Sequence, residues 1–264
     1  MTAAPGRSDR VFITGASSGI GAALAREYAA RGASLGLLAR RRELLAELAA
    51  SLPHPERHRI YAADVTDREA VAAAAADFIA ANGGADIVIA SAGISQGTLT
   101  DRSGDLDVFD AVFATNVNAT VATFAPFIAT MRAQPGPRRL VGIGSVAGVR
   151  GMRGAGAYCA SKAAVRSYCE SLRLDLRSSG IKVVTIAPGY IDTPMTRQNR
   201  FPMPFLMPVA RFAAQAADTI ARGSSYRVLP WQMGVVAKLL RLLPNSLFDL
   251  AFSRAPTKQR QGEA

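Results

Sequence analysis

Val11-Phe12-Ile13-Thr14-Gly15-Ala16-Ser17-Ser18-Gly19-Ile20-Gly21 is an apolar, strand-like run that opens directly into a turn with three glycines, and Ala22 to Arg31 then continue in helical pattern. Glycines at these positions permit a tight turn and let a backbone approach a pyrophosphate closely. Free N–H groups at the start of the helix add a positive dipole end. The spacing is GxxxGxG and not the commoner GxGxxG, so the dinucleotide-binding motif applies by mechanism and not by letter. Taken alone, the stretch also reads as an ordinary glycine-rich connection from strand to helix.

Outward from this turn the pattern repeats. Strand-like runs at 10–14, 34–39, 58–63, 86–91, 139–144 and 182–187 alternate with helical intervals, the signature of a parallel sheet covered on both faces. Runs such as Asp86-Ile87-Val88-Ile89-Ala90 are continuously apolar, as strands buried on both sides are. The fold class expected is α/β, a single Rossmann-like doubly wound parallel sheet. Beyond Pro188, prolines at 194, 202, 204 and 208 interrupt a Met- and Phe-rich stretch that reads as a lid or substrate-binding excursion. A helix over 208–222 and a strand over 226–229 complete the sheet. The reading is one catalytic domain over 1–230, with apolar helical segments at Gln232–Leu243 and Pro244–Phe252 and a disordered polar tail from Arg254 forming an extension over 231–264.

Composition narrows the function. With 264 residues, 49% of them hydrophobic, the chain can bury one substantial core. Met1 to Arg10 lacks the apolar region of a signal peptide, so the cytoplasm is the expected location. Ala111 to Met131 approaches the length of a membrane span but carries Asn116, Asn118, threonines and Pro126, and reads as a helix inside the protein. Cys159 and Cys169 suggest neither a disulfide framework nor a metal site. A net charge of +11 is compatible with nucleic acid, an anionic membrane or a phosphate-bearing cofactor, but the arginines are scattered and no recognition motif accompanies them, which argues against nucleic acid.

The second strand decides the cofactor. An acidic residue at its end suits a ribose hydroxyl and an arginine suits a 2′-phosphate; here Arg40-Arg41-Arg42 follows Ala39, which favours NADP(H), with NAD(H) as the alternative. The arginines also read as the solvated opening of the next helix. Farther along, Tyr158 and Lys162 lie four apart in a helix expected from Gly156 to Gly180, so both face one substrate atom. An ammonium there would favour the tyrosinate and draw the phenol toward working pH. Val165, Cys169, Leu172 and Leu176 continue the same stripe into the core. Ser145, just past an apolar strand, is placed to hold the reacting oxygen. Asn116 sits mid-stripe with Phe109, Val112, Phe113, Val117, Thr120, Val121 and Phe124; it is either a satisfied structural amide or a break in the helix that binds a water on a proton path to Lys162.

These residues resemble the short-chain dehydrogenase/reductase family: TGASSGIG at 14–21, Asp64, SAG at 91–93, Asn116, Ser145, YCASK at 158–162 and PGYIDTP at 188–194 stand in the family's order across about residues 9–230. The resemblance implies Tyr158 as catalytic acid/base, Lys162 as the group that lowers its pKa and binds the nicotinamide ribose, Ser145 as the substrate-positioning residue and Asn116 as support of a water relay. It implies that Gly15, Ser17, Ser18, Gly19, Ile20 and Gly21 cradle the phosphates and that Asp64, with Val65 beside it, meets the adenine. Ser91, Ala92 and Gly93 would form the cofactor wall, with Pro188, Gly189, Ile191 and Thr193 at the nicotinamide end, and the enzyme would be a homodimer or homotetramer. Two positions depart from the family: Ser91 replaces the usual Asn, and Ser18 stands where NADP-preferring members often carry Lys or Arg, which leaves NADP(H) resting on Arg40 and Arg41.

Met233 to Leu243 is almost wholly apolar, with Lys238 and Arg241 on one face, and is too short to span a bilayer. It suits a pocket cover, an oligomer interface or, through 231–252, contact with a membrane surface. With Phe201 to Met207 it favours an apolar substrate. The function expected is an NADP(H)-preferring oxidoreductase that interconverts a carbonyl and a secondary alcohol. A dinucleotide-binding regulatory protein and a membrane-surface protein on the same fold are the alternatives.

Overall fold

The run opening the glycine turn is a strand, β1 (Arg10–Thr14), flanked in the sheet by β2 (Ser34–Ala39) and β4 (Ile87–Ala90). In the computed structural model, which describes residues 8–199, 201–255 and 257, seven strands pair in the order β3-β2-β1-β4-β5-β6-β9, every pairing parallel. The others are β3 (His58–Ala62), β5 (Arg138–Ile143), β6 (Ile181–Pro188) and β9 (Tyr226–Leu229). The chain builds outward from β1 to β3, then returns to the other side of β1 with β4. That reversal leaves a crevice at the carboxyl ends of the strands, where ligands of open α/β sheets bind. β4 starts one residue later than the sequence reading because buried Asp86 turns its carboxylate to Arg10, accepting from the guanidinium at 2.9 Å and from the Arg10 N–H at 3.0 Å.

Two apolar layers enclose the sheet. On one face α1 (Gly19–Ala30), α2 (Arg42–Ser51) and α8 (Val209–Arg222) bury Leu24, Tyr28, Leu45, Phe212 and Ile220 against Ile13, Leu37 and Val184. On the other, α3 (Arg68–Asn82), α5 (Ala119–Ala133) and α6 (Gly156–Asp175) bury Val71, Phe78, Phe127, Val165 and Cys169 against Phe12, Val88 and Leu140. Continuous apolar strands follow directly from this double covering.

The apolar stretch ahead of β5 is divided. α4 (Asp105–Phe113) passes through a wide π-helical turn at Ala114–Asn118 into α5. Residues 105–133 are long and apolar enough to cross a membrane, yet α5 packs on α3 and α4 on α6. The stripe read from the sequence is corrected here. Phe109 and Val121 are exposed, while Asp105, Val108, Val112 and Asn116 are buried, because α4 meets α6 through the Val108–Val112 edge and the π-turn rotates the faces that follow it. α6 also ends earlier than expected, at Asp175; Arg177–Ser179 form a single 3₁₀ turn, and Gly180 closes it with φ 74°.

The proline-rich excursion returns to the body through β7 (Ile191–Asp192) and β8 (Met207–Pro208), which pair with each other, and contains α7 (Pro194–Arg197), capped by Thr193 and Thr196. α9 (Trp231–Leu242) and α10 (Asn245–Phe252) follow β9. Of the polar tail read from Arg254, Pro256 and residues 258–264 lie outside the described residues, as do residues 1–7 and Arg200.

Candidate active site

The glycine turn is shaped by steric necessity. Gly15 has φ 69°, and a Cβ there would stand 2.7 Å from the backbone N and Cα of Ala92; a Cβ on Gly21 would stand 2.2 Å from the Gly15 carbonyl oxygen. The first turn of α1 therefore curls beneath Thr14–Gly15, and the turn touches the end of β4. Ser18 takes the N-cap position with extended backbone, but its side chain does not cap the helix. Both Ser17 and Ser18 Oγ accept from Arg41 Nη2 at 3.0 Å, so the leading N–H groups of α1 keep their positive end toward the cleft.

That cleft, about 560 Å³, runs along the carboxyl ends of the strands. Gly15, Ser17, Ser18, Gly19, Ile20 and Gly21 line one part of it, with Arg40, Arg41, Asp64 and Val65 beyond. Ser91, Ala92 and Gly93 form the middle, and Ser145, Tyr158, Lys162, Pro188, Gly189, Ile191 and Thr193 line the rest. Arg40 is largely exposed, its Nη1 3.8 Å from Asp64 Oδ2. Thr66 donates to Asp64 Oδ1 through its N–H at 2.9 Å and its hydroxyl at 2.8 Å; these bonds, with Arg40, hold the carboxyl below the usual carboxylate range. Arg41 is the N-cap of α2 and Arg42 its first residue, so the reading of this cluster as a helix opening and the reading as part of the cleft describe the same place.

At the other end, Ser145 follows β5 and its Oγ accepts from Ala147 N–H at 3.1 Å. Tyr158 and Lys162 lie one turn apart at the start of α6. The phenol shares a hydrogen bond with Ser145; burial pushes it above its ordinary range and the Ser145 bond pulls it back. Buried Lys162 donates from Nζ to the Ile143 carbonyl at 2.9 Å, and desolvation pushes its ammonium down to about 8. Nζ stands 5.9 Å from the Tyr158 ring centroid.

Asn116 lies behind the cleft wall and does not line it. Its Oδ1 accepts from Ile94 N–H at 2.8 Å, and its Nδ2 donates to the Ile94 carbonyl at 3.0 Å and to Ser161 Oγ at 2.9 Å. Its amide is satisfied, as one of the two sequence readings had it, while the helix break of the other reading is present as the π-turn. Through Ser161, whose hydroxyl donates to the Tyr158 carbonyl at 2.8 Å, Asn116 ties the start of α6 to the loop after β4.

Several residues of the site are ones the sequence does not single out. Thr66 and Ile94 reach the cleft from loops of ordinary composition, Thr115 from the π-turn, and Met195 and Thr196 from α7 on the proline-rich excursion. Thr98 Oγ1 accepts the Ala157 N–H at 3.2 Å and caps α6 from fifty-nine residues away, where the local N-cap position is Ala155. A side chain with no fixed spacing to the helix it caps cannot be found by pattern.

A family model for short chain dehydrogenases matches residues 9–203. The chain is 36% identical over 249 residues to an uncharacterized oxidoreductase of Myxococcus xanthus, covering 92% of this chain and 96% of that one. Among solved structures, a short-chain dehydrogenase from Streptomyces avermitilis superposes with a TM-score of 0.79 at 25% identity, covering 88% of this chain and 92% of the other. A 3-ketoacyl-(acyl-carrier-protein) reductase from Brucella melitensis, solved with NADH, matches at TM-score 0.77 and 22% identity over 84% of this chain and 97% of that one, a likeness of fold alone.

Proposed function

The chain belongs to the short-chain dehydrogenase family of NAD(P)-dependent oxidoreductases, and from that premise we propose that it is an NADP(H)-preferring enzyme interconverting a carbonyl and a secondary alcohol on an apolar substrate. The observation that carries the reading is one cleft with a phosphate-turn at one end and the hydrogen-bonded Ser145 and Tyr158, with Lys162, at the other. The donor set fits a dinucleotide: the uncapped start of α1, the Ser17 and Ser18 hydroxyls and the guanidinium of Arg41 offer hydrogen bonds to phosphate, with Asp64 and Val65 toward the adenine. When bound, the nicotinamide supplies or accepts the hydride.

The chain's own residues manage the proton. A Tyr158 phenol held above its ordinary range is protonated at neutral pH and is suited to donate to a carbonyl oxygen as negative charge develops there. Ser145 holds that oxygen and the phenol together. Lys162, an ammonium below about pH 8 and one helical turn from Tyr158, would stabilise the phenolate as it forms. Asn116 positions α6 and, in this reading, supports the water path to Lys162. Arg41, shared between Ser17 and Ser18, and Arg40 at the mouth support NADP(H) over NAD(H). Exposed Met195 on the cleft wall and exposed Phe205 and Leu206 on the excursion support an apolar substrate.

The test is oxidation of NADPH and of NADH against a panel of ketones and 3-oxoacyl compounds, in wild type and Tyr158→Phe. Turnover with NADPH on apolar members, lost in the variant, supports the reading; tight cofactor binding without turnover on any member moves the protein to a dinucleotide-sensing role. The reading takes the enzyme to be a cytoplasmic homodimer or homotetramer, which light scattering checks. A second reading, contact of 231–252 with a membrane surface, is favoured by the exposed apolar side chains of α9 and α10.

A further inference from the structure

Fourteen large apolar side chains are exposed among the described residues, and six of them lie on α9 and α10: Trp231, Val235, Leu239, Leu242, Leu247 and Leu250. The first four recur at spacings of four, four and three, so they form one stripe along α9, facing away from buried Met233 and Ala237. Lys238 and Arg241 border that stripe on one side. Of the four charged residues in 231–255, three are basic, Lys238, Arg241 and Arg254, against Asp249.

This is a fixed platform and not a frayed end. Arg150 donates to the carbonyls of Leu240 and Leu243 at 3.2 and 2.9 Å and to Asn245 Oδ1 at 3.1 Å, and its guanidinium lies 4.1 Å over the Phe248 ring. It thereby satisfies carbonyls at the end of α9 and locks the corner into α10. Arg241 reaches the Val149 carbonyl at 3.4 Å. At the start of α9, Met233 packs so closely on Gly189 that a Cβ there would stand 2.6 Å from its Cγ. α9 thus runs from the Gly189 wall of the cleft to the loop after Ser145, with its apolar stripe outward beside the substrate end.

We propose that this platform seats the protein on an anionic lipid bilayer, with the α9 stripe and Leu247 and Leu250 in the interfacial layer and Lys238 and Arg241 on the headgroups. Charge selects this occupant. A second copy would bring two basic faces together, whereas an anionic surface complements them, as it does the chain's net +11. Twelve residues, about 18 Å of helix, are too few to cross a bilayer but suffice to lie in its surface. The seating deepens the membrane-surface reading above and itself requires no turnover; its consequence, that an apolar substrate reaches the cleft from lipid, rests on the reductase reading.

Trp231 is the chain's one tryptophan and stands 64% exposed on this face, so its fluorescence reports the contact directly. With vesicles of phosphatidylcholine and phosphatidylserine, its emission moves to the blue, iodide quenching falls, and the protein sediments with the lipid. Lys238→Gln and Arg241→Gln each weaken partitioning about fivefold. Leu239→Glu with Leu242→Glu abolishes it, while turnover of a water-soluble ketone in lipid-free buffer stays at the wild-type rate. The iodide measurement on wild type needs no variant to fold. Unchanged emission with these vesicles overturns the proposal. So does equal partitioning to phosphatidylcholine alone, or a blue shift that grows with protein concentration without lipid alongside a larger mass in light scattering, which assigns the face to a second copy. Vesicle binding lost with ketone turnover intact sinks this seating alone; binding retained without turnover sinks the reductase reading alone.

Discussion

The two ends of the cleft are built by different means. At the phosphate end a single contiguous stretch, Thr14 to Gly21, supplies the structure with backbone, and its shape follows from two glycines whose added Cβ atoms would strike the Ala92 backbone and the Gly15 carbonyl. At the proton-transfer end, Ser145 comes from the end of β5, Tyr158 and Lys162 from α6, and the Ile143 carbonyl holds Lys162 in place. The first end resists change through excluded volume. The second depends on hydrogen bonds and desolvation, so one atom there can alter chemistry and leave the fold intact.

The largest expected effect breaks the chemical end alone. Tyr158→Phe lowers kcat by about 10²–10⁴-fold, the range of a positioned general acid, with the melting temperature and cofactor affinity nearly unchanged; steady-state kinetics beside calorimetry checks this. A comparable loss of folding free energy marks the other end. Gly21→Ala costs about 3 kcal/mol by forcing the first turn of α1 off Gly15, a fall of roughly 6–12 °C in Tm, whereas Ser18→Ala, whose side chain caps nothing, shifts Tm little.

Lys162 sharpens the comparison through pH. Its folded-state pKa, about 8, lies below its ordinary 10.5, so between those values the unfolded chain binds the proton that the native chain lacks. Stability therefore rises with pH across that window, and the cost of burying the ammonium is present in full below about 8. Relative to Lys162→Met, wild type gains up to about 3 kcal/mol from pH 8 to 10.5 by chemical denaturation, while its turnover falls as pH climbs through about 8. The smallest effect expected is Arg41→Ala: the KM for NADPH rises about tenfold while that for NADH is nearly unchanged, since the Arg41 guanidinium, which lines the cleft, is offered in the proposed reading to a 2′-phosphate that NADH lacks.

Legibility in the sequence followed the range of the interactions. β1, β2 and β9 begin and end where the apolar runs do, and the phosphate turn is written in eight consecutive residues. Tyr158 and Lys162 were readable because a four-residue spacing fixes their common face. Phe109 was misplaced because helical period alone does not say which edge of α4 meets α6, and the π-turn beyond it leaves no compositional mark. The Arg41 bonds to Ser17 and Ser18, the Asn116 clasp on Ile94 and the Thr98 cap on α6 join residues 22 to 59 positions apart, beyond any local pattern.

The alternation of strand and helix, the glycine turn and the kinds of chemical group present all follow from residue order, because steric limits and apolar periodicity act between neighbours. How those groups are disposed comes from folding: β4 lies beside β1 and opens the crevice, Lys162 loses water and leans on Ile143, and Arg150 pins α9 with its apolar stripe outward. Desolvation and long-range hydrogen bonds depend on what packs against a residue, and the packing exists only once the distant segments have met.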